Sequence, residues 1–322
     1  MTPNYMLLIA STVLLSGATP SPAQVWPSRP IRIIVPQPPG GSTDVIARVV
    51  SQRMGDALGQ SVIIDNRPGA GTIVGVEIVA NAAPDGHTLL AVASSYTIIP
   101  ALHKKLPFDP VRDLAPVTQF ATVPHLLVVH PSVRANSVKE LIALAKTSPG
   151  KLNAASSGYA TSTHMAAELF MFMAGVSMTH IPYKGGASSM VAMLAGECHV
   201  NFATISTAVP HLTGNRLRAL AVTSAKRSTA APELPTIAEA GIPGYDHASW
   251  IGLFAPAKTP AQVIAKLNAE AVRAARSPEA KAVFAGDGLE ATGTTSGEFA
   301  ALVSAEIAKW LKVAKATKLQ VQ

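Results

Sequence analysis

Apolar and polar residues alternate along the chain in blocks that predict strands followed by helices. The apolar run from Ile33 to Val35 suits a buried strand, and the sequence PQPPGG that follows it forbids continuation of that strand. Apolar residues then recur at helical spacing as far as about Leu58. Ser42 or Thr43 can cap this helix, because a hydroxyl at a helix start satisfies a free backbone N–H group. The chain therefore turns sharply between strand and helix at residues 36–44, which we call the elbow.

The same order of strand and helix recurs through the first two thirds of the chain. Further strands are predicted at Val62 to Asp65, Leu89 to Ala93, Leu126 to Val129, Leu152 to Ala155, Val200 to Ala203 and Leu217 to Val222. Capping-box spacings predict helix starts at Ser137, Thr236, Thr259 and Thr295, the third with Pro260 at the first helical position. Strands that alternate with helices in this way indicate parallel pairing and an α/β architecture.

Two glycines beside a helix start make the elbow a candidate anion site. Gly40 and Gly41 permit backbone conformations and close approaches that a Cβ would block. The free N–H groups of the first helical turn and the positive end of the helix dipole both favour an anion there. A turn that binds nothing fits the same residues, so the elbow alone leaves both interpretations open. Ligands of parallel sheets lie beyond the carboxyl ends of the strands, where the elbow and Ser94-Ser95 fall.

The second half of the chain repeats this design with turns that are rich in hydroxyl groups. The sequence SSGYATSTH, residues 156–164, follows a predicted strand and precedes a helix that runs through Glu168 and Phe172. The sequence IPYKGG, residues 181–186, precedes another helix. Helix starts that offer donors without an obvious nucleophile indicate binding rather than turnover.

Length and composition limit the class of protein. A chain of 322 residues with 48% hydrophobic and 14% charged residues is long enough for two domains with large cores. The net charge of +7 favours encounters with anions, but scattered Lys and Arg and 5% aromatic residues predict no nucleic-acid partner. Cys198 is the single cysteine, so no intrachain disulfide can form.

The N-terminus has the pattern of a cleaved signal peptide. Residues from Met6 to Leu15 are almost wholly apolar, and Ser21-Pro22-Ala23 offers small residues at a cleavage site. This run is shorter than the roughly 20 residues that span a bilayer. We expect residues 1–23 to be removed after Ala23 and the mature protein to be exported.

Motifs of catalysis and of cofactor binding are weak or missing. The glycines from Gly69 to Gly75 are spaced one residue too widely for a dinucleotide fingerprint, and no P-loop occurs. His164 and Glu168 supply only half of a metal site. We therefore expect a protein that is not an enzyme and that binds no cofactor and no metal. A serine hydrolase that uses Ser162 and His164 is the alternative, although no acid is placed to orient the imidazole.

Several segments resemble, in order along the mature chain, those of one family of exported proteins. The segments are WPSRPIRIIVPQPPGGSTDVIAR, DNRPGAGT, PDGHTLL, YKGGA, LRALAVTS, LPTIAEAGIPGY and WIGLFAPAKTP. They are similar to those of the Bug family of solute-binding proteins, the receptor component of tripartite tricarboxylate transporters. The resemblance implies a monomer that captures a small organic acid, a mono- or dicarboxylate, and delivers it to membrane permease subunits. A signalling receptor that presents the acid to a sensor fits the same residues.

The resemblance also implies a type II periplasmic binding fold, in which two α/β domains enclose a ligand cleft. Domain 1 is expected to comprise residues 24–124 and 253–322, and domain 2 residues 125–252. Closure is expected to be a hinge motion at the crossings near Val123 to Leu126 and Ile251 to Phe254.

The family resemblance places the carboxylate site at the elbow and at a second loop. The family pattern G-x-G-S-x-x-H falls on residues 158–164, with Ala160 in place of the second glycine and Thr161 in place of the serine. A β-branched residue at Gly41 is expected to abolish binding in a folded protein. The expected ligand-binding residues are Gly40, Gly41, Ser42, Asp44, Ser94, Ser157, Gly158, Thr161, Thr163, His164 and Tyr183.

Overall fold

The computed structural model describes residues 26–286, 288–317 and 319, so the predicted signal peptide and its cleavage after Ala23 lie outside the described residues. The strands are β1 Ile31–Val35, β2 Val62–Asn66, β3 Thr88–Ala93, β4 Leu114–Val129, β5 Asn153–Ser156, β6 Thr179–Pro182, β7 Val200–Thr204, β8 Arg218–Val222, β9 Ala248–Pro256 and β10 Glu290–Ala291. The α-helices are α1 Ser42–Leu58, α2 Ile73–Ala80, α3 Ser95–Leu102, α4 Val138–Thr147, α5 Ser162–Ala174, α6 Gly186–Leu194, α7 Ile205–Ala208, α8 Ile237–Ala240, α9 Ala261–Ala275, α10 Pro278–Gly286 and α11 Ser296–Thr317. The predicted alternation of strands and helices is confirmed.

The strands pair in the order β2-β1-β3-β9-β4-β7-β5-β6, and β10 and β8 also pair with β4. Strands β1, β2 and β3 are parallel, and so are β5, β6 and β7, as the alternating pattern predicts. We call β1–β3, β9, β10 and residues 114–124 of β4 the sheet of the first lobe. Residues 125–129 of β4, with β5–β8, form the sheet of the second lobe.

Strand β4 carries the chain from one lobe to the other. It pairs with β9 as far as Pro124 and with β7 from His125 onward, which places the first crossing within the predicted segment Val123 to Leu126. The sequence predicts only the last part of this strand, because Pro116 and Pro124 interrupt the pattern. Pro116 lies beside a register shift and Pro124 at the crossing, two places where a strand tolerates a proline.

The second crossing does not lie at Ile251 to Phe254, and that prediction is wrong. These residues are in the middle of β9 and pair with β3 on one side and with β4 on the other. The backbone N–H of His247 still bonds to Thr223 of the second lobe, whereas Ala248 pairs with Pro124. The chain therefore changes lobes between residues 247 and 248.

Helix α11 contributes to the cores of both lobes. Its first part, including Phe299 and Val303, packs in a core cluster with residues of β1, β3 and β9. Its last part, including Trp310 and Val313, packs in the cluster that contains Phe170 and Phe202 of the second lobe. Leu311, on the same helix, is 48% exposed.

Three of the five predicted cap sites make the expected side-chain bonds. Thr236 and Thr295 form complete capping boxes with the glutamates three residues later, and Ser137 accepts the N–H of Glu140. The cap at Ser42 or Thr43 is wrong, because the helix already includes both residues and Gly41 is its N-cap. The cap at Thr259 is also wrong, because Pro260 is the N-cap of α9 rather than its first helical residue.

Among the helices of the described residues, none has the length and apolar character that crossing a membrane requires.

Candidate functional site

The topology points the carboxyl ends of both sets of parallel strands at the same crossing. Ala93, at the end of β3, pairs with Ile251 close to the crossing, and β1 and β2 run in the same direction as β3. In the second lobe, Thr204 at the end of β7 pairs with His125 at the crossing itself. The loops that follow β1–β3 and β5–β7 therefore border one cleft between the lobes, as in other open α/β sheets.

The elbow is held in shape by the carboxylate of Asp44. Asp44 is 2% exposed, and its Oδ2 accepts the backbone N–H of Gly40 at 2.9 Å and Arg48 Nε at 3.0 Å. Its Oδ1 accepts Asn66 Nδ2 at 2.9 Å. Burial alone would raise the pKa of Asp44, but the hydrogen bonds from Arg48, Gly40 and Asn66 outweigh burial and lower it. Asp44 thus serves as an ionised anchor of the elbow.

The two elbow glycines have different backbone conformations. Gly40 has φ +86°, which only glycine adopts readily, whereas Gly41 has φ −76° and precedes the helix as its N-cap. A Cβ at Gly41 would meet Pro38 O at 3.9 Å, an ordinary contact. The conformational need for glycine therefore lies at Gly40, whose N–H is already bound to Asp44. The N–H groups of Ser42 and Thr43, in the first turn of α1, have no intrahelical acceptor.

The second loop, residues 156–164, which we call the hydroxyl loop, is organised by three hydroxyl groups. Thr163 Oγ1 accepts the N–H of Ser157 at 2.9 Å and lies 2.9 Å from Ser157 Oγ. Thr161 Oγ1 lies within 3.2 Å of both hydroxyls and donates to Gly158 O at 2.7 Å. Neutral hydrogen bonds hold this loop, in contrast with the carboxylate of the elbow.

The buried side chain of His164 anchors the backbone of the hydroxyl loop. Ala160 has φ +58°, and its N–H donates to Nδ1 of His164 at 3.0 Å. Nδ1 is therefore unprotonated, and Nε2 carries the proton toward Glu168, 3.2 Å away. The imidazole is 1% exposed and stacks on His180, with ring centroids 3.7 Å apart. Burial lowers the pKa of His180 to about 4.

A cavity of about 310 Å³, which we call cavity A, lies between the elbow and the second lobe. Ser42 lines it from the first lobe, and Ser157 and Thr163 line it from the hydroxyl loop. The lining residues, all among those described, are Ser42, Val123, Ser157, Thr163, Gly186, Ala187, Ser189, Asn201, Ala203, Thr204, Ser206, Thr207 and Leu289. None of them is Asp, Glu, Lys or Arg, so cavity A offers hydroxyls, an amide and helix N-termini rather than charged side chains.

A second cavity of about 300 Å³, cavity B, lies on the other side of the hydroxyl loop. Thr161 lines it together with Thr72 and Ser95 of the first lobe, and residues of α3 supply an apolar wall. Thr72 Oγ1 and Ser95 Oγ are buried and have no hydrogen-bond partner among the described residues.

The structure brings four of the predicted site residues to these cavities. Ser42, Ser157 and Thr163 line cavity A, and Thr161 lines cavity B. The predicted residues that line neither cavity are Gly40, Gly41, Asp44, Ser94, Gly158, His164 and Tyr183.

Two of these predicted residues turn away from the cavities. The hydroxyl of Ser94 lies 2.8 Å from Ser249 Oγ on β9, and its neighbour Ser95 faces cavity B instead. The hydroxyl of Tyr183 lies 3.4 Å from Cys198 Sγ, and this contact together with burial raises the pKa of Tyr183 to about 12.

The sequence interpretation missed one cavity residue on α6 and those that lie within or directly after β7. Ser189, Asn201, Thr204, Ser206 and Thr207 all line cavity A. A signal for them exists in the sequence, because a hydroxyl-rich run directly follows the predicted strand Val200 to Ala203, just as Ser94-Ser95 follows another strand. The single polar residue inside that apolar strand, Asn201, is a second signal.

Ser162, the first residue of α5, is held by two histidines at the crossings. Its Oγ lies 2.9 Å from His125 Nε2 and 2.8 Å from His247 Nε2. His247 Nε2 also donates to the carbonyl of Ser162 at 2.9 Å, so Ser162 donates its own proton to His125. Burial lowers the pKa of His125 to about 4, and burial with the nearby charge of Lys309 lowers the pKa of His247 well below its usual value.

This arrangement bears on the hydrolase alternative. The bonded partners of Ser162 are His125 and His247, whereas His164 is bonded to Ala160 and Glu168. The pairing of Ser162 with His164 that a hydrolase would need is therefore wrong. Within the described part of the chain, His, Cys, Asp and Glu side chains form no group of three that could hold a metal.

Two α/β lobes joined by crossing strands, with helix N-termini and hydroxyls around the cleft between them, define the class of type II periplasmic solute-binding proteins. A family model described as the tripartite tricarboxylate transporter family receptor matches residues 46–319. The chain belongs to this receptor family, and the predicted membership is confirmed.

Individual relatives agree with this assignment. Protein BugT of Bordetella pertussis is 36% identical over 302 residues, which cover 93% of this chain and 93% of BugT. The structure of Rpa4515 of R. palustris with adipate has a TM-score of 0.74 and 35% identity, and covers 92% of this chain and 100% of that one. The structure of MatC from Rhodopseudomonas palustris with bound malate has a TM-score of 0.71 and 31% identity, and covers 89% of this chain and 99% of that one.

Proposed function

We propose that this protein is a periplasmic receptor that captures a small organic acid between its lobes. The observation that carries the proposal is the position of the α1 N-terminus, where Ser42 faces Ser157 and Thr163 across cavity A. Free N–H groups and the positive end of the dipole favour a carboxylate at this helix start, and hydroxyls of the second lobe bind its other end. Adipate and malate, bound by the two structural relatives, are acids of this kind.

The predicted site residues then fall into three groups. Ser42, Ser157 and Thr163, which line cavity A, contact the ligand, and Thr161 supports the last two through its hydrogen bonds to them. Gly40, Gly41 and Asp44 shape the elbow, and Gly158 and His164 shape the hydroxyl loop. Ser94 and Tyr183 lie outside both loops and have no ligand role. We propose domain limits at residues 124/125 and 247/248, and hinge closure at these crossings brings the two sets of contacts together.

The captured acid is delivered to the permease subunits of a tripartite tricarboxylate transporter. The family assignment supports this step, and a monomeric receptor without enzymatic activity is sufficient for it. A signalling receptor without a permease is the second candidate. A genomic neighbourhood that encodes permease subunits would favour transport, and one that encodes a sensor alone would favour signalling.

A thermal-shift panel on refolded protein tests the proposal. Unfolding and refolding first removes any ligand that was purified with the protein. Mono-, di- and tricarboxylates, nicotinate and aromatic acids are then compared with sugars and amines. An acid at about 100 times its dissociation constant should stabilise the protein by about 2.7 kcal/mol. The proposal fails if sugars or amines raise the transition temperature and no acid does.

Turnover assays test the proposal that the receptor has no enzymatic activity. Ester and amide substrates incubated with the wild type and with Ser162→Ala should show no difference in hydrolysis. Turnover that is present in the wild type and lost in the variant would contradict the receptor function.

A further inference from the structure

The innermost part of cavity A contains a buried amide in apolar surroundings. Asn201 on β7 is 1% exposed, and the strand around it packs against Met190 and Met193 of α6 in an apolar cluster. Its Nδ2 lies 3.3 Å from Ser189 Oγ on the same helix. A buried polar group is costly unless its hydrogen bonds are satisfied, so both ends of this amide need a partner.

The hydrogen bonds of Ser189 fix the orientation of the amide. Ser189 Oγ lies 2.8 Å from the carbonyl of Gly186 and must donate its proton there, because a carbonyl only accepts. The hydroxyl can then only accept from Asn201, which places Nδ2 toward Ser189. Oδ1 of Asn201 is left as a buried acceptor with no donor among the described residues.

The residues around the amide are small and leave room for a ligand. Gly186 and Ala187 on α6 and Ala203 on β7 line cavity A together with Asn201. Larger side chains at these positions would fill the recess between the helix and the strand. The recess therefore extends from cavity A to Oδ1 of Asn201, the acceptor that lacks a donor.

We propose that Oδ1 of Asn201 accepts a hydrogen bond from a hydroxyl group of the bound acid, so that the receptor selects hydroxy acids over their deoxy analogues. The proposal rests on the carboxylate-binding function proposed above and narrows its ligand class. An ammonium group is a donor as well, but no carboxylate side chain lines cavity A to balance its charge. The carboxylate of the bound acid lies at the start of α1, and the hydroxyl group of the acid reaches Asn201 in the second lobe.

Matched pairs of acids test the selection directly. Refolded wild-type protein is titrated calorimetrically with malate and succinate, lactate and propionate, and 3-hydroxybutyrate and butyrate, which differ within each pair by one hydroxyl. For the pairs that bind, the hydroxy acid should bind about tenfold more tightly, because the deoxy analogue leaves Oδ1 unpaired. Asn201→Leu, which is similar in size and has no acceptor, should bind both members of a pair equally.

Two further variants keep the test decisive if Asn201→Leu folds poorly. Asn201→Asp retains an acceptor and should keep the preference for the hydroxyl, with weaker binding of both acids because of the added negative charge. Wild-type protein that binds aspartate more tightly than malate would show that the donor is an ammonium group and would overturn the hydroxyl. Ser188→Ala, on α6 next to Ser189 but outside the lining of cavity A, should leave the preference for the hydroxy acid unchanged.

The outcomes separate this inference from the proposed function. Equal affinity of the wild type for both members of every pair that binds would overturn the hydroxyl contact, because a bound water would then satisfy Oδ1, and would leave carboxylate capture intact. No binding of any acid, in these pairs or in the wider panel, would overturn the proposed function itself.

Discussion

The elbow of the first lobe and the hydroxyl loop of the second lobe present similar helix starts to the cleft but are anchored in opposite ways. The elbow depends on one ionised carboxylate, Asp44, which binds Arg48, Asn66 and the backbone of Gly40. The hydroxyl loop is anchored at Ser162 by two neutral groups, His125 and His247. The negative charge of Asp44 thus stabilises the elbow, whereas a positive charge on His125 or His247 would disrupt the hydroxyl loop. A change of pH therefore affects the two loops differently.

The largest expected effect is on stability in mild acid. Because the folded pKa of His125 is lowered to about 4 and that of His247 is well below its usual value, the unfolded chain binds more protons than the folded one as the pH falls below about 6.5. The contribution of these two histidines to the free energy of unfolding is therefore fully present above about pH 6.5. It falls as the pH is lowered, by up to about 1.4 kcal/mol per pH unit for each histidine. Urea unfolding at several pH values measures this slope.

Single variants assign the slope to the histidines. His125→Gln and His247→Gln should each flatten this slope. The difference between variant and wild type cancels the contributions of other groups, including His180, whose pKa burial lowers, and Glu306, whose pKa burial raises. The low pKa of Asp44 confines its own contribution to lower pH, because a depressed carboxylate loses its stabilising effect only as the pH falls through its folded pKa. An unchanged slope in both variants would contradict a neutral anchor.

The next largest effect is expected for Asp44→Ala. Loss of the carboxylate leaves the backbone N–H of Gly40 and one N–H of the Asn66 amide without an acceptor and should cost about 1–3 kcal/mol of stability. Acid binding should weaken at least tenfold, about 1.4 kcal/mol, because the elbow is no longer held in shape. Calorimetry and urea unfolding measure the two quantities.

Asp65→Ala is the matched control for Asp44→Ala. Asp65 also forms ion pairs, with Arg32 and Arg67, but its described hydrogen bonds include no backbone N–H of the elbow. The Asp65→Ala variant should be less stable than the wild type and should bind the acid with unchanged affinity. Equal loss of affinity in both variants would show that the elbow has no special part in binding.

A smaller effect is expected for Ser162→Ala. The variant leaves His125 and His247 without their shared hydroxyl and should lose about 1–2 kcal/mol of stability. Ser132→Ala removes another serine–histidine contact, the exposed one to His130, and should change stability by less than about 0.5 kcal/mol. Similar values for the two variants in urea unfolding would argue against a special anchor at the crossings.

The smallest effect distinguishes the two elbow glycines. The free energy of unfolding of Gly40→Ser should be about 1 kcal/mol lower than that of the wild type, because φ +86° is unfavourable for any residue with a Cβ. Gly41→Ser should fold with unchanged or higher stability, because Gly41 is the N-cap and serine is a good cap. Thermal unfolding compares them, and equal losses would mean that the backbone of the elbow differs from the one described.

The sequence predicts the first lobe more fully than the second. A strand that ends in prolines and glycines and is followed by a helical period determines the elbow almost completely, because each signal is local. Ser42 could therefore be assigned to the cleft, although the cap at Gly41 could not. The anchoring of Ser162 depends on His125 and His247, which are 37 and 85 residues away in sequence, and no local pattern contains that information.

Burial explains the other differences between sequence and structure. Ser94 and Ser95 follow the same strand, and only the packing of β9 against β3 decides that Ser94 turns toward Ser249 while Ser95 faces cavity B. Asn201 is one polar residue in an apolar strand, and its importance becomes visible only when α6 places Ser189 beside it.

The binding of a carboxylate at the start of α1 is tested most directly by amide chemical shifts. Refolded, 15N-labelled protein is titrated with the acid that stabilises it most and, separately, with the ester in which every carboxyl group of that acid is methylated. The amides of Ser42, Thr43, Ser157 and Thr163 should shift and saturate with the acid and should remain in place with the uncharged ester. Saturating shifts that leave Ser42 and Thr43 unchanged, or equal shifts with the ester, would contradict carboxylate capture at the elbow.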